Sequence, residues 1–235
     1  MDGSLLKVGG YTPFSATDYP DRLSAVVFIQ GCPWRCGYCH NPHLQQRSKY
    51  SPLAWRAVLD ALSRRVGLLD AVVFSGGEAT MDPALPGAIA AVRALGYDVG
   101  LHTACIYPAR LQAVLPHVDW VGFDVKAPFS RYAGITGIAG SGDPARACVE
   151  AIVASGVAYE CRTTVHPAQL PPDVLIALAQ SLAAMGVRNY VLQEFRATGC
   201  ADDALLRGAV AGYPDDAVLA HIAPLFAQFA VRRSH

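Results

Sequence analysis

Three cysteines stand within eight residues, Cys32, Cys36 and Cys39, in the stretch GCPWRCGYCHNP at positions 31–42. Their spacing is C-x3-C-x2-C, and His40 and His43 follow at once. Thiolates and imidazoles bind metals, so the first question is which metal group they hold. Zinc takes four ligands, and Cys32, Cys36 and Cys39 with His43, or with His40, would supply a Cys3His set. A [4Fe–4S] cluster normally takes four thiolates, and three would leave one iron open to a substrate or cofactor. Three unrelated thiols are a third reading, which the tight spacing argues against. Spacing alone does not separate zinc from iron–sulfur. The other cysteines, Cys105, Cys148, Cys161 and Cys200, are scattered singly and read as small buried or half-buried thiols.

What must position this cluster is a series of short apolar, β-branched runs that read as buried parallel strands. They are Ala25–Ile29, Ala71–Phe74, Asp98–Leu101, Trp120–Phe123, Ala158–Thr163 and Asn189–Leu192. Helical spacing fills the intervals, for example Val58, Leu59, Leu62 and Val66, or Leu175, Leu178, Leu182 and Met185. Ser51-Pro52, Asp82-Pro83 and Asp143-Pro144 place a capping residue before a proline, a helix-start signal. Gly96, Gly156 and Gly186 read as helix stops. The βα unit recurs about every 30 residues, giving about six strands. That is too few for an eight-fold barrel; an open, partial (β/α)6 barrel with mostly parallel strands and a doubly wound sheet both fit. Leu5–Val8 is a further candidate strand within an N-terminal extension of about residues 1–22. The apolar stripe Val218, Ile222, Leu225, Phe226 and Phe229 predicts a last helix over Asp216–Val231. No linker or low-complexity tract divides the 235 residues, so one domain is expected.

Ligands of parallel α/β folds bind at the carboxyl ends of the strands. All six predicted ends are polar: Gln30-Gly31-Cys32, then Ser75-Gly76-Gly77-Glu78, then His102 and Thr103, then Asp124 and Lys126, then Arg162, Thr164 and His166, and last Gln193, Glu194 and Arg196. One polar loop means little; six at the same pole point to a site. The composition is globular, 52% hydrophobic and 16% charged with zero net formal charge. It lacks the basic excess of a general nucleic-acid binder. No apolar run is long enough to cross a membrane and the N-terminus lacks a secretory pattern. A cytoplasmic, reducing setting is expected, where a cysteine cluster reads as metal-binding or redox-active.

The three cysteines, with Tyr38 just before the last, resemble the signature of radical S-adenosylmethionine (SAM) enzymes. Gly76-Gly77-Glu78 stands where that superfamily carries its GGE motif, after the second strand of the six. Ser15 with Asp18-Tyr19-Pro20, then VVFIQGC and YCHNPHL, is similar to the glycyl-radical-enzyme activating proteins. Within those the likeness is greatest to the activating proteins of anaerobic ribonucleoside-triphosphate reductase. Asp124-Val125-Lys126 resembles their DxK element, and RTTVHP at 162–167 and QEFRATG at 193–199 also look like that group. The likeness runs from about Gly10 to Gly199. Three positions depart from it: Asp21 stands for a usual glycine, Ala104-Cys105 follows Thr103 where asparagine is frequent, and Ala79 replaces a common proline.

The resemblance implies a [4Fe–4S] cluster on Cys32, Cys36 and Cys39, with SAM on the open iron. Reductive cleavage of SAM would give methionine and a 5′-deoxyadenosyl radical that abstracts a glycine Cα hydrogen from a partner enzyme. It implies that Gly76, Gly77 and Glu78 receive the methionine ammonium, that Tyr38 approaches the adenine, and that Asp124 and Lys126 touch the ribose or carboxylate. His102, Thr103 and His166 would be weaker SAM contacts. Trp34 and Arg35 would shield the cluster, and Arg162 and Arg196 would steady the SAM carboxylate or a partner's backbone. The implied partners are a glycyl radical enzyme and an electron donor such as flavodoxin or ferredoxin, with neither nucleic acid nor membrane. Two alternatives stand beside this. One is a radical SAM enzyme acting on a small molecule, like a deazapurine-forming synthase; Asp18-Tyr19-Pro20 and Cys39-His40-Asn41-Pro42 weigh against it. The other is a zinc-binding module.

Overall fold

The computed structural model describes residues 5–200 and 202–233. Eight strands form one sheet: β1 (Val8–Ser15), β2 (Ser24–Ile29), β3 (Ala71–Gly76), β4 (Asp98–Thr103), β5 (Trp120–Asp124), β6 (Ala158–Val165), β7 (Asn189–Glu194) and β8 (Gln228–Arg232). Their spatial order is their chain order. β1 runs antiparallel to β2, and every later pairing is parallel. The helices are α1 (Trp55–Ser63), α2 (Leu85–Ala94), α3 (Pro108–Val114), α4 (Tyr132–Thr136), α5 (Gly142–Ser155), α6 (Pro172–Ala184), α7 (Asp203–Gly208) and α8 (Asp216–Ile222).

The alternation of side chains along a strand separates two layers. Ala25, Val27 and Ile29 of β2, Val72 and Phe74 of β3, and Val121 and Phe123 of β5 join one large core with Val58, Leu85, Ile89, Ile152 and Leu178 of the helices. The opposite face holds a small cluster of Tyr19, Val26, Ala71, Val73 and Trp120, to which no helix contributes. Helices on one face and a strand order that never reverses exclude the doubly wound alternative. The sheet is the open, barrel-like kind, and its two edge strands, β1 and β8, are not paired to each other. Gly100 and Gly122 make room on the inner face. A Cβ on Gly100 would stand 2.9 Å from the Tyr19 ring, and one on Gly122 would stand 2.4 Å from the Arg162 guanidinium.

All six predicted strands form, and Gly96, Gly156 and Gly186 end their helices at positive φ. Four expectations need correction. The strand expected at Leu5–Val8 begins at Val8 and reaches Ser15, so the expected N-terminal extension is largely a sheet strand; residues 1–4 lie outside the described residues. α1 begins at Trp55 rather than after Ser51-Pro52, because Leu53 is drawn into a bridge with Val8. α5 begins at Gly142, so Asp143 sits in its first turn and is not its cap.

The helix expected over Asp216–Val231 is the largest miss. α8 ends at Ile222, a short turn spans Ala223–Leu225, and the chain then becomes β8. Pro224 has no amide hydrogen to continue the helix. Phe226 and Phe229, read as one helical stripe, both pack on Tyr190 of β7, with ring centroids 4.6 and 6.3 Å away.

Candidate active site

The cysteine loop leaves the end of β2 and is tied down on both sides. Gly31 and Cys32 donate their amides to Leu44 and Gln45 carbonyls at 2.8 and 3.0 Å. On the other side the Arg35 amide donates to Thr136 at 2.8 Å, and buried Trp34 meets Tyr132 edge-on at 5.7 Å. The Arg35 guanidinium donates to the Cys32 and Trp34 carbonyls at 2.6 and 2.9 Å, closing the turn between two of the cysteines. The Cys39 amide returns to the Cys36 carbonyl at 3.1 Å. All seven cysteines are free thiols; Cys105, Cys148 and Cys161 are buried, as expected, and Cys200 is half-buried.

Burial pushes the Cys32 thiol up to about 12 and raises Cys36 as well. Thiolates form in such surroundings when a cation accepts them. Among the described residues no three His, Cys, Asp or Glu side chains converge on the single point that one zinc ion needs, and His43 is exposed. Cys32, Cys36 and Cys39, three thiols of one loop, would be the ligands of an iron–sulfur cluster. The surroundings fit a group of that size. Gln30 Oε1, Tyr38 OH and His40 Nε2 are buried around the loop and have no protein partner. Cys36 and Cys39 line a cleft of about 500 Å³.

The end of β3 lies against this loop. Gly77 donates to Ile29 O at 2.9 Å and Glu78 donates to Gly31 O at 2.8 Å. Gly76 has φ of 120°, and a Cβ there would stand 2.3 Å from the Ile29 backbone; one on Gly77 would stand 2.4 Å from Gly31 O. Both positions therefore require glycine. Glu78 is 1% exposed. Its carboxylate accepts from Thr80 N and Thr80 Oγ1 at 3.0 and 2.6 Å, from Thr103 Oγ1 at 2.9 Å and from Ala104 N at 2.8 Å. Burial raises its pKa against the pull of those donors. Both oxygens are engaged, so Glu78 staples the ends of β3 and β4 together, where the sequence suggested a direct ammonium contact.

Thr103 is likewise engaged, giving to Glu78 and accepting from Cys105 N at 3.0 Å. His102 turns to the inner face. Its Nε2 lies 2.8 Å from Asp18 O and its Nδ1 lies 3.4 Å from Ser75 Oγ. Burial, then the Arg162 guanidinium at 3.2 Å, lowers its pKa to about 3. His166 is fully buried. Its Nδ1 accepts from Ala168 N at 3.2 Å and its Nε2 lies 2.9 Å from Leu205 O. Both ring nitrogens thus have partners inside the fold, where the sequence suggested a SAM contact.

Asp124 and Lys126, at the end of β5, form an ion pair of 3.0 Å. Burial raises the Asp124 pKa, but Lys126 and Arg162 outweigh it and hold the carboxyl below its ordinary value. Burial opposes the Lys126 charge, but Asp124, then Tyr38 and Cys36, raise it well above the usual lysine range. The Lys126 Nζ stands 5.7 Å from the centre of the Tyr38 ring. Tyr38, Cys36, Asp124 and Lys126 are thus brought together. Arg162 is held lower down by Glu160 at 2.8 Å and lies over Trp120. Glu160 also takes both terminal nitrogens of Arg232 at 2.7 Å. Sequence reading passed over Thr80 and Tyr132, whose hydroxyl accepts the Lys126 amide at 2.9 Å. Neither lies in a motif; only a threonine two residues after the buried Glu78 could have signalled the first.

The family model of the radical SAM superfamily matches residues 26–170, more than half of the chain and all of these strand ends up to β6. The chain belongs to the radical SAM superfamily. A protein of Methanocaldococcus jannaschii that bears the name of a glycyl-radical enzyme activating enzyme is 26% identical over 205 residues, 83% of this chain and 82% of that one. The pyruvate formate-lyase-activating enzyme of Clostridium pasteurianum is 32% identical over 109 residues, 44% of this chain and 46% of its own length. Among solved structures, Streptococcus suis SuiB bound to its precursor peptide SuiA superposes with a TM-score of 0.67 at 12% identity, over 89% of this chain and 48% of that one. This radical SAM chain thus spans about half the length of SuiB and of the clostridial protein. The SuiB likeness supports the fold: an α/β sheet of mostly parallel strands shared with radical SAM structures. No helix among the described residues is long and apolar enough to cross a membrane.

Proposed function

We propose that this radical SAM enzyme is an activase that generates a glycyl radical on a partner, and that the partner is the anaerobic ribonucleoside-triphosphate reductase. The observation that carries the activase reading is the likeness to the M. jannaschii protein across 83% of the chain, rather than across the cysteine loop alone. The choice of reductase rests on the likeness of the RTTVHP and QEFRATG stretches, at 162–167 and 193–199, to that group of activating proteins.

In this reading Cys32, Cys36 and Cys39 would hold a [4Fe–4S] cluster, and the residues at the ends of β3 to β5 would bind SAM. Held there, such a cluster would supply the one-electron reduction of SAM on which glycine hydrogen abstraction depends. Gly76 and Gly77 leave a backbone surface without side chains for the methionine end. Glu78 and Thr103 hold that surface in place. Lys126, fixed by Asp124, offers a cation for a carboxylate, and Tyr38 offers a buried ring. Trp34 and Tyr38 keep water from the loop. The electron would come from a flavodoxin- or ferredoxin-like protein.

Anaerobic reconstitution with iron and sulfide, then SAM, dithionite and the reductase, is expected to give a glycyl-radical doublet by electron paramagnetic resonance. SAM cleavage without any partner radical, accompanied by turnover of a small molecule, would favour the small-molecule class instead.

A further inference from the structure

The inner face of the sheet carries a chain of ion pairs that starts at the last strand. Glu160 of β6 is buried there, its side chain 6% exposed, and it faces two arginines. Its Oε1 accepts from Arg162 Nε at 2.8 Å and from Arg232 Nη1 at 2.7 Å, and its Oε2 accepts from Arg232 Nη2 at 2.7 Å. Arg232 belongs to β8, and β7 lies between β8 and β6, so its side chain crosses a whole strand to make this two-pronged contact. A forked arginine–carboxylate pair fixes orientation as well as distance. Arg232 lies outside residues 26–170, the span of the family match.

Arg162 carries the contact onward. Its guanidinium lies over the Trp120 ring at 5.2 Å, in the space that Gly122 leaves open, and its Nη2 stands 3.2 Å from His102 Nε2. Trp120 packs on Tyr19 at 5.1 Å, so this network floors the inner face beneath the strand ends. Arg162 stands opposite Asp124 in the pairing of β5 with β6. Its charge acts with that of Lys126 to hold the Asp124 carboxyl below its ordinary value. Arg162, Arg232 and Lys126 are three cations against two carboxylates, Glu160 and Asp124. Glu160 can neutralise only one of its two arginines, so Arg162 keeps an attraction for Asp124.

We propose that Arg232 is a positioning residue for the SAM site: by gripping Glu160 it fixes the Arg162 guanidinium, and Arg162 fixes the Asp124 carboxylate. This rests on the radical SAM reading proposed above. Without Arg232, Glu160 loses the partner of its Oε2 and keeps the single contact with Arg162 Nε. The pair can then swing, because the other polar contact of Arg162 is the longer one to His102. A residue that merely pinned β8 to the sheet would affect stability and leave the site alone.

Two measurements test this. The first titrates the His102 ring by NMR in cluster-free protein. Arg162 and Arg232 both lower the His102 pKa, and Asp124 raises it. Arg232→Gln removes a positive charge and leaves Glu160 less compensated, so that pKa is expected to rise from about 3 toward the ordinary 6.5. The second measures SAM affinity of the reconstituted protein by equilibrium dialysis. Arg232→Gln is expected to weaken it about tenfold with iron content unchanged. Arg232→Lys keeps the charge and should recover most of the affinity. Glu160→Gln should weaken SAM binding by a similar factor, and it reads the same link if Arg232→Gln does not fold. The double variant should lose no more than either single one. Unchanged SAM affinity in folded Arg232→Gln would overturn the proposal and leave Arg232 a pin for β8. So would weakened SAM binding with His102 unmoved, because the effect would then bypass Arg162. Wild-type protein that bound no SAM after full reconstitution would end the radical SAM reading and this proposal with it, whereas His102 would still report whether Arg232 governs Arg162.

Discussion

The carboxylate of Glu78, beyond the end of β3, accepts the backbone amide of Ala104, beyond the end of β4, at 2.8 Å. The same group takes three further hydrogen bonds from Thr80 and Thr103. Removing it would strand buried donors, each costing roughly 1–3 kcal/mol when left unpaired. Glu78→Ala should therefore lose about 3 kcal/mol or more of stability by urea titration of the cluster-free protein. Glu78→Gln keeps one acceptor oxygen and should lose less. Equal stability of Glu78→Ala and wild type would remove the stapling role.

Glycines at turns should not be equivalent. Gly76→Ala and Gly77→Ala each drive a Cβ into backbone, at 2.3 and 2.4 Å. Gly96 also has positive φ, 91°, but nothing lies within 4 Å of its would-be Cβ. Gly96→Ala is expected to cost only the backbone strain, about 1 kcal/mol. The other two should displace the loop and abolish SAM binding, measured by equilibrium dialysis.

Cysteine substitutions should divide into two classes by iron analysis after anaerobic reconstitution. Cys32→Ala, Cys36→Ala and Cys39→Ala should fall well short of the roughly four irons of a full cluster and should not cleave SAM. Cys200 lies near the loop, its Sγ 3.4 Å from Gly37 O, yet Cys200→Ala should keep its iron. A Cys36→Ala protein that still cleaved SAM would end the cluster assignment.

His102 should be a source of acid sensitivity. Its folded pKa, about 3, is depressed below the ordinary 6.5 by burial and by Arg162. The neutral ring is the favoured form in the fold. Its contribution to stability is thus complete above pH 6.5 and is lost progressively as pH falls toward 3. Melting temperature of the cluster-free protein should drop across that window, and His102→Gln should make the drop shallower. An unaltered profile would mean the ring is not held neutral.

The sequence carried the parallel architecture because a buried strand advertises itself locally, by a β-branched run such as AVVF at 71–74 with a turn on either side. It carried the grouping of Cys36, Tyr38, Asp124 and Lys126 because every parallel strand presents the same end to the same pole. What it could not carry was the destination of each polar atom. Glu78, Thr103 and His166 have the residue types of ligands, and only their partners in space, Ala104, Cys105 and Leu205, reveal that they hold the fold. Near the C-terminus two periods competed. Phe226 and Phe229 fit a helix, while QFAVR alternates as a strand, and the free edge of β7 decided between them. Asp21 and Cys105 are the non-glycine residues with positive φ among those described, 58° and 66°, a conformation that glycine adopts without strain and that neither residue type announces in sequence.

The order of the eight strands in space is their order along the chain. A nascent polypeptide leaving the ribosome would therefore always find its docking edge already made. β1 and β2 can close as a hairpin, and each later strand needs only the one synthesised just before it. No strand has to wait for a distant partner or insert between two that are already joined. Until β8 arrives, the growing edge is an aggregation-prone surface; with its arrival that edge ends in one short strand bearing the charged Arg232, opposite the β1 edge.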